Sequence, residues 1–265
     1  MNLLDEVDKI KRDGYSEANA EARLCQDIII KAISQSSLNR NVTIKGGVVM
    51  RSLSKNVRRA TQDLDLDFIR FSISEESIGV FIEKLNCIDG IRLRMSAPVE
   101  ELKHQDYKGK RIYIEISDKY GNVLSLKMDI GVHKDLDIEQ EEYCFDVCFQ
   151  EDSASVLINS CEQMITEKLK SLMRFGTRST RYKDVFDICY LSDLADMEKL
   201  RFCIQKYIYA DITIAVNDAD EIRRRSERIF TSSAYKKQME RSRKNWLDLS
   251  VNEVLKKDLE FLYRI

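Results

Sequence analysis

The stretch over residues 63–70 constrains the fold of this chain more than any other, because it alternates, with aspartate at 63, 65 and 67 and a large apolar residue at 64, 66 and 68. A β-strand places every second side chain on the same face, so the pattern predicts a strand with Asp63, Asp65 and Asp67 on one face. The apolar residues on the other face predict that this face is buried. Aspartate is depleted in strands, so three in alternation require a reason beyond folding.

The carboxylates of Asp63 and Asp65 are expected to project side by side, where they repel each other unless a cation neutralises them. Mg²⁺ prefers a few carboxylate oxygens together with phosphate oxygens and water, and Mn²⁺ takes similar ligands. The pair therefore predicts a divalent-cation site. A solvated strand face is the alternative interpretation.

A double glycine, Gly46-Gly47, lies between a predicted strand over 42–45 and a helix predicted to begin near residue 48. Glycine lets a phosphate approach the backbone, and the amide groups at a helix N-terminus attract anions. The position of the glycines shortly before the aspartates therefore predicts a phosphate-binding turn. An ordinary tight turn is the alternative.

A third aspartate, Asp129, lies in a stretch over 124–130 whose even positions are apolar. A predicted hairpin joins this stretch to another alternating stretch over 112–116 through turn residues at 118–122. Asp129 is expected on the polar face, where it would complete a site for two metal ions roughly 3.5–4 Å apart. A lone exposed aspartate is the alternative.

A predicted helix over 158–175 carries Lys168 in the middle of its apolar stripe. A charged residue there must extend its ammonium group to solvent or meet a buried anion. A triphosphate lodged between two lobes would supply that anion. The helix is expected to end at Gly176.

Two acidic residues open the next predicted helix, over 182–192. Asp184 and Asp187 are three positions apart and therefore share one helix face. They are expected to orient Lys168, Lys183 or the acceptor group. Alternatively, they are routine N-terminal acids that the helix dipole favours.

Strand patterns are confined to the first part of the chain and end near residue 155. Helices are also predicted over 17–36 and 76–87, and the last one is predicted to start at Ser250 with a capping box. We therefore predict an α/β domain over residues 1–155 and a helical bundle over residues 156–265.

Charge is distributed unevenly in a chain whose net charge is only −2. Residues 221–245 contain nine Lys or Arg and three Glu, a local balance of +6, so the remainder carries −8. This asymmetry predicts a polyanion-facing surface in the C-terminal part. Exposed helix faces without a ligand are the alternative.

No apolar run approaches the ~20 residues that cross a bilayer, and residues 1–6 lack the basic start and apolar core of a signal peptide. We therefore expect a cytoplasmic protein that does not enter a membrane. Seven cysteines are scattered along the chain and only two histidines occur, so neither a zinc site nor a disulfide framework is expected.

In their order along the chain, these segments resemble a known family. Lys45-Gly46-Gly47 followed by Arg59-Ala-Thr61-Gln-Asp63-Leu-Asp65 is similar to the GG…RxTxDxD signature of the AbiEii/AbiGii-type nucleotidyltransferases. The Lys168 helix and the segment Arg-Tyr-Lys-Asp-Val-Phe-Asp at 181–187 resemble the two later motifs of that family. The resemblance covers roughly residues 42–190.

The resemblance implies an α+β fold, in which a DNA polymerase beta-like nucleotidyltransferase lobe with a mixed sheet precedes an all-helical bundle lobe. It implies the toxin of a bacterial toxin–antitoxin or abortive-infection system, neutralised by a separately encoded antitoxin. Some members add nucleotides to the 3′ ends of transfer RNA, which implies a nucleoside triphosphate donor and a tRNA acceptor.

The same resemblance assigns roles to individual residues. Asp63 and Asp65 would bind Mg²⁺ or Mn²⁺, with Asp129 as the further ligand predicted from its strand. The residues expected to bind the nucleotide are Gly46, Gly47, Thr61, Lys168, Arg181 and Lys183. The residues expected to serve catalysis are Asp63, Asp65, Lys168, Asp184 and Asp187.

The reaction expected from this set is in-line attack of an acceptor hydroxyl on the α-phosphate, with pyrophosphate leaving. Three alternatives are a small-molecule acceptor such as an antibiotic, a protein acceptor, and a non-enzymatic scaffold that binds a partner. The basic stretch at 221–245 favours a nucleic-acid acceptor, and the presence of both aspartates and Lys168 argues against the scaffold.

Overall fold

One mixed β-sheet organises the first of two units into which the chain divides, Met1–Asn159 and Ser160–Ile265. The structure is a computed structural model that describes residues 1–102 and 109–265. Its described strands are β1 (Val42–Lys45), β2 (Asp63–Phe68), β3 (Ile91–Met95), β4 (Glu100–Glu101), β5 (Lys110–Asp118), β6 (Val123–Val132), β7 (Glu141–Phe145) and β8 (Ala154–Ile158). Their order across the sheet is β3-β5-β6-β2-β1-β8-β7, with β4 paired to β5.

The aspartate-rich strand β2 lies in the interior of the sheet, where it pairs antiparallel with β1 and parallel with β6. Its apolar side chains are fully buried, as the alternation predicts. The register sets Asp65 opposite Lys45 of β1 on one side and opposite Asp129 of β6 on the other. Neighbouring strands therefore surround β2 with charged side chains on its polar face.

The helices of the first unit are α1 (Leu3–Arg12), α2 (Glu17–Gln35), α3 (Gly47–Ser54) and α4 (Glu75–Lys84). Residues 24–33 of α2 are all buried, so this helix is part of the core of the unit. α3 follows β1 directly through Gly46, which places the helix N-terminus at the end of a strand.

The second unit consists of helices: α5 (Cys161–Phe175), α6 (Tyr182–Leu191), α7 (Met197–Ile204), α8 (Ala219–Phe230), α9 (Ser233–Arg241) and α10 (Val251–Leu262). α5 ends at Gly176, whose φ of +55° is a conformation that favours glycine. α10 begins with the predicted capping box, in which Ser250 and Glu253 each accept a backbone N–H of the other. The predicted mixed sheet followed by helices is confirmed.

The structure differs from the sequence prediction in several short elements. β8 continues to Ile158, past residue 155 where the strand patterns were predicted to end, and the second unit begins at Ser160. The sequence patterns also missed α1 and the strands β3, β4, β7 and β8. These strands have two to five residues, which show too few alternations to be recognised, whereas the equally short β1 was marked by the double glycine that follows it.

Within the residues described, no helix is both long enough and apolar enough to cross a bilayer.

Candidate functional site

The carboxylate of Asp65 lies directly against the backbone of Gly46. A Cβ atom placed on Gly46 would come within 2.4 Å of Oδ2 of Asp65, closer than any real contact of this kind. Gly46 also has a φ of +70°, which side chains rarely adopt. Glycine is therefore required here both by the close approach of the carboxylate and by the backbone conformation.

The second glycine is required by Thr61. A Cβ atom on Gly47 would lie 2.6 Å from Cβ and 2.7 Å from Oγ1 of Thr61. Because Gly47 is the first residue of α3, these contacts bring the N-terminus of that helix against the segment that leads into β2. The structure therefore brings Gly46, Gly47, Thr61 and Asp65 together, and helix N-terminal amides at this point suit an anion.

Asp63 lies two residues before Asp65 on the same strand face, and Oδ2 of Asp63 is 2.8 Å from Nζ of Lys127. The side chain of Asp63 is 41% exposed and that of Lys127 is 31% exposed. An ion pair with this much solvent contact contributes little free energy. Asp63 can therefore exchange the lysine for another cation at small cost.

Asp129 is held more firmly than Asp63. Its two oxygens accept hydrogen bonds from Nε and Nη2 of Arg111 at 2.8 and 2.9 Å. The hydrogen bond to Asp129 raises the pKa of the Arg111 guanidinium, as expected for a bidentate pair. Sequence reasoning missed Arg111, although the predicted hairpin could have been aligned residue by residue, which places Arg111 opposite Asp129.

Asp67, the third aspartate of β2, is neutralised within the sheet. Its Oδ1 accepts a hydrogen bond from Nζ of Lys45 at 2.7 Å, and its side chain is buried. The three aspartates of the alternating pattern are therefore in three different environments.

The donor set suits a divalent cation at Asp63 and Asp65. Both side chains are carboxylates on one strand face, which are ligands that Mg²⁺ and Mn²⁺ accept. The cationic groups of Lys127 and Arg111 show that this face of the sheet draws positive charge. In the described part of the chain, no group of three or more His, Cys, Asp or Glu side chains is arranged to hold a metal, and each oxygen of Asp129 already accepts a hydrogen bond from Arg111.

In the second unit, Lys168 is buried and meets two carboxylates. Its Nζ donates to Oδ2 of Asp187 at 2.7 Å and to Oδ1 of Asp184 at 3.2 Å. The buried anion that the sequence required for Lys168 is thus supplied by α6 of the same unit. This agrees with the expectation that the two aspartates orient Lys168.

Two further side chains hold these aspartates. Nε1 of Trp246 donates to Oδ1 of Asp187 at 3.0 Å, and Nε of Arg181 lies 2.7 Å from Oδ2 of Asp184. Sequence reasoning missed Trp246, because nothing in the local pattern relates residue 246 to α6. Lys183 lies on α6 next to Asp184 and is half-buried.

The chain matches a known protein family and is similar to solved structures. A family model described as the nucleotidyl transferase AbiEii toxin of type IV toxin–antitoxin systems matches residues 28–263. No curated protein matches the chain. Among solved structures, the chain is similar to an antigenic nucleotidyltransferase-like protein from Paracoccidioides brasiliensis, at 15% identity and a TM-score of 0.42, covering 75% of this chain and 93% of that chain.

Proposed function

Because the chain belongs to the AbiEii family of nucleotidyltransferase toxins, we propose that it transfers a nucleotide from a nucleoside triphosphate to an RNA acceptor, with tRNA as the first candidate. The observation that carries this proposal is the close contact of Gly46 and Gly47 with Asp65 and Thr61. This contact brings a glycine backbone that suits a phosphate next to the Asp65 carboxylate, which suits a metal ion.

Asp63 and Asp65 would hold Mg²⁺ or Mn²⁺, and such an ion supplies positive charge that offsets the charge of a triphosphate. The amide groups at the start of α3, beside Thr61, would bind phosphate oxygens. The acceptor hydroxyl oxygen forms a bond to the α-phosphorus, the bond to the pyrophosphate oxygen breaks, and the hydroxyl proton leaves to a base. Asp129 remains a predicted third ligand, through the lone pairs that its oxygens do not use toward Arg111.

For the second unit, we propose that Lys168, Arg181 and Lys183 bind the nucleotide as hydrogen-bond donors, because Asp184 and Asp187 already balance the charge of Lys168. Asp184 and Asp187 fix the position of the Lys168 ammonium group through the hydrogen bonds described above. A buried lysine held by two carboxylates loses little conformational entropy when it binds, since its side chain is already ordered. Removing either carboxylate would leave this ammonium less well positioned.

The charge of the second unit supports a nucleic-acid acceptor. Residues 1–159 contain 22 Lys or Arg and 28 Asp or Glu, a net charge of −6. Residues 160–265 contain 21 Lys or Arg and 17 Asp or Glu, a net charge of +4. A polyanion would therefore be attracted to the second unit.

Within the basic stretch, the structure separates paired from unpaired cations. Arg223 pairs with Asp220, and Arg224 and Arg225 pair with Glu221, so their charges are satisfied within α8. Five cations on α9 and in the turn after it form no ion pair with any residue in 1–102 or 109–265. We call them the α9 cations: Lys236, Lys237, Arg241, Arg243 and Lys244. The opposite side of α9 is buried through Tyr235 and Met239, which leaves the cations toward solvent.

The catalytic part of the proposal is tested by a transfer assay. Purified protein is incubated with Mg²⁺ and each α-labelled nucleoside triphosphate in turn, with total RNA and then purified tRNA as acceptor. We expect label in RNA from the wild-type protein and a loss of at least 100-fold in Asp63→Asn and Asp65→Asn, which remove charge without changing shape. Asp89→Asn, at an exposed position away from β2, is the matched control.

Equal turnover in folded Asp63→Asn and Asp65→Asn would reject the site. Label that enters protein or a small molecule instead of RNA would reject the RNA acceptor while keeping the transferase. No transfer and no nucleotide binding by the wild-type protein would leave a partner-binding scaffold. Because the family description names a toxin–antitoxin system, we also propose that a cognate antitoxin counteracts the activity.

The acceptor surface is tested by RNA binding at several salt concentrations. Replacing the five α9 cations with glutamine is expected to weaken tRNA binding at least tenfold. It should also flatten the plot of log K against log salt by about 0.7–0.9 for each phosphate that the variant no longer neutralises. The control replaces Arg223 and Arg224, which are paired within α8. An equal effect per charge removed in the two variants would show that only overall charge matters and would reject the α9 surface.

A further inference from the structure

A buried glutamine on α2 binds the backbone on both sides of Gln62, where the chain enters β2. Nε2 of Gln26 donates to the carbonyl oxygens of Thr61 at 3.0 Å and of Asp63 at 3.2 Å. Gln26 has no solvent exposure. One amide group therefore fixes the position of both the residue that contacts Gly47 and the first proposed metal ligand.

The same amide is held by an arginine from α3. Nη1 of Arg51 donates to Oε1 of Gln26 at 3.0 Å. Nη2 of Arg51 donates to Oδ1 of Asp27 at 2.7 Å, and Oδ2 of Asp27 accepts the backbone N–H of Cys148 at 3.1 Å. Gln26, Asp27 and Arg51 are all buried, so the two hydrogen bonds of Arg51 are shielded from water.

These contacts connect α3 to the start of β2 at two points. The first residue of α3, Gly47, touches Thr61 through its backbone, and Arg51, one turn further along, reaches the carbonyl groups of Thr61 and Asp63 through Gln26. Both hydrogens of the glutamine amide group and its oxygen are used. An apolar side chain of the same shape would fill the space but would leave two carbonyl groups and a guanidinium without these partners.

We infer that Gln26 and Arg51 are positioning residues, which set the distance between the N-terminus of α3 and the carboxylates of Asp63 and Asp65. The inference rests on the proposed function, since it assigns these residues to the geometry of that site. The hydrogen bonds described for Gln26 and Arg51 go to backbone carbonyl groups, to each other and to Asp27. Gln26 and Arg51 act on the positions of the proposed metal ligands. A misplacement of about 1 Å is enough to lower the rate about 100-fold.

The test uses the full chain with Gln26→Met, which keeps the length and bulk of the side chain and removes its hydrogen bonds. Arg51→Lys is the second variant, because lysine keeps the charge beside Asp27 but lacks the planar fork that also reaches Gln26. Ile29→Val, a buried apolar change on the same helix, is the matched control for a loss of stability without a polar contact.

Three quantities are measured for each protein: kcat and KM for the nucleoside triphosphate, the affinity for Mn²⁺ from the electron paramagnetic resonance signal of the free ion, and Tm. We expect kcat to fall about 10- to 100-fold in Gln26→Met, KM to change less than about threefold, and Mn²⁺ affinity to fall several-fold. Arg51→Lys should show the same pattern to a smaller extent. Ile29→Val should lower Tm and leave kcat and Mn²⁺ affinity unchanged.

A purely structural role would lower Tm in all variants alike. The inference is overturned if folded Gln26→Met or Arg51→Lys binds Mn²⁺ and turns over like Ile29→Val. Mn²⁺ affinity is measured without any transfer, so it separates the two proposals. A wild-type protein that binds Mn²⁺ through Asp63 and Asp65 but transfers no nucleotide would overturn the proposed function, while loss of that binding in Gln26→Met would uphold the positioning role.

Discussion

At the scale of single residues, the close approach of Gly46 to Asp65 leaves no space for a side chain. Gly46→Ala would drive a methyl group into the carboxylate and would also strain a backbone with a φ of +70°. We expect a loss of about 1–3 kcal/mol of stability and a fall of at least 100-fold in nucleotide transfer. The measurements are urea unfolding and the labelled-nucleotide assay.

Gly79→Ala provides the matched control for this change. Gly79 lies inside α4, and a Cβ atom there would have no neighbour within 4 Å. Alanine is the better helix former, so this variant should be as active as the wild type and more stable by about 0.5–1 kcal/mol. Full activity in Gly46→Ala would show that the Asp65 carboxylate need not lie where it does.

A second residue-scale prediction concerns Asp258, which is fully buried on α10. Neither of its carboxylate oxygens has a hydrogen-bond partner among the described residues, and burial raises the pKa of this carboxyl well above its usual range. A raised pKa stabilises the fold below the unfolded-state pKa of about 3.9, and this contribution is lost as pH rises toward the folded-state pKa. Asp258→Asn, which cannot ionise, should therefore gain stability relative to the wild type as pH rises from 4 toward neutrality.

The gain expected for Asp258→Asn grows as pH rises from 4 toward neutrality, because only the wild-type carboxyl must lose its proton in a buried place. Urea unfolding at several pH values between 4 and 7.5 measures it. A difference that stays constant with pH would mean that the wild-type carboxyl does not change its proton occupancy on folding.

At the scale of elements, Asp118 ties α1 to the β5–β6 hairpin. Its oxygens accept the backbone N–H groups of Leu3, Tyr120 and Asn122. Burial alone would raise the pKa of Asp118, but these hydrogen bonds outweigh burial and lower the pKa to about 2. The stabilisation is therefore present above the unfolded-state pKa of about 3.9 and is lost as pH falls through about 2.

Asp118→Asn should lose about 1–3 kcal/mol at pH 7, because hydrogen bonds to a charged acceptor are the strong ones. Its stability should also depend less on pH between 4 and 2 than that of the wild type. Circular dichroism during acid and urea titration records both. Asp89→Asn is the control, and an Asp118→Asn protein that follows this control would refute the anchoring of α1.

The elements also differ in how well they could be predicted from the sequence. β2 and the β5–β6 hairpin were predicted because each has several alternations with a buried face. α5 and α10 were predicted because their caps are local in sequence. Three partners of charged residues were not predicted, because the Arg111–Asp129, Lys45–Asp67 and Trp246–Asp187 contacts depend on strand register or helix packing.

The candidate site shows the same limit. The sequence named Gly46, Gly47, Thr61 and Asp65, which the fold brings together because one turn and one strand carry them. It did not name Gln26 or Arg51, since a glutamine inside an apolar helix has no pattern of its own. A buried polar residue becomes informative only when the groups that it satisfies are known.

At the scale of the whole molecule, the two units have cores and net charges of their own. We expect fragments 1–159 and 160–265, expressed separately, each to unfold cooperatively, because each contains its own buried apolar residues. Thermal unfolding followed by circular dichroism tests this expectation. If both fold, Mn²⁺ binding should remain with the first fragment and salt-dependent RNA binding with the second.

A fragment 160–265 that folds but binds RNA no better than fragment 1–159 would contradict the assignment of the polyanion surface to the α9 cations. Fragments with no cooperative transition would show that the units fold only as one chain. The matched comparison is an equimolar mixture of the two fragments, which controls for total charge and concentration.

The hydrogen bond between Trp246 and Asp187 also has an optical consequence. The chain contains a single tryptophan, so light that excites indole but not phenol produces emission from one known place, beside the carboxylate of Asp187 that binds Lys168. Any event that moves Asp187 or alters the charge around it should shift the colour or intensity of that fluorescence. Trp246 is thus an intrinsic fluorescent probe of the site formed by Lys168, Asp184 and Asp187, and ligand binding there can be followed in real time without labelling.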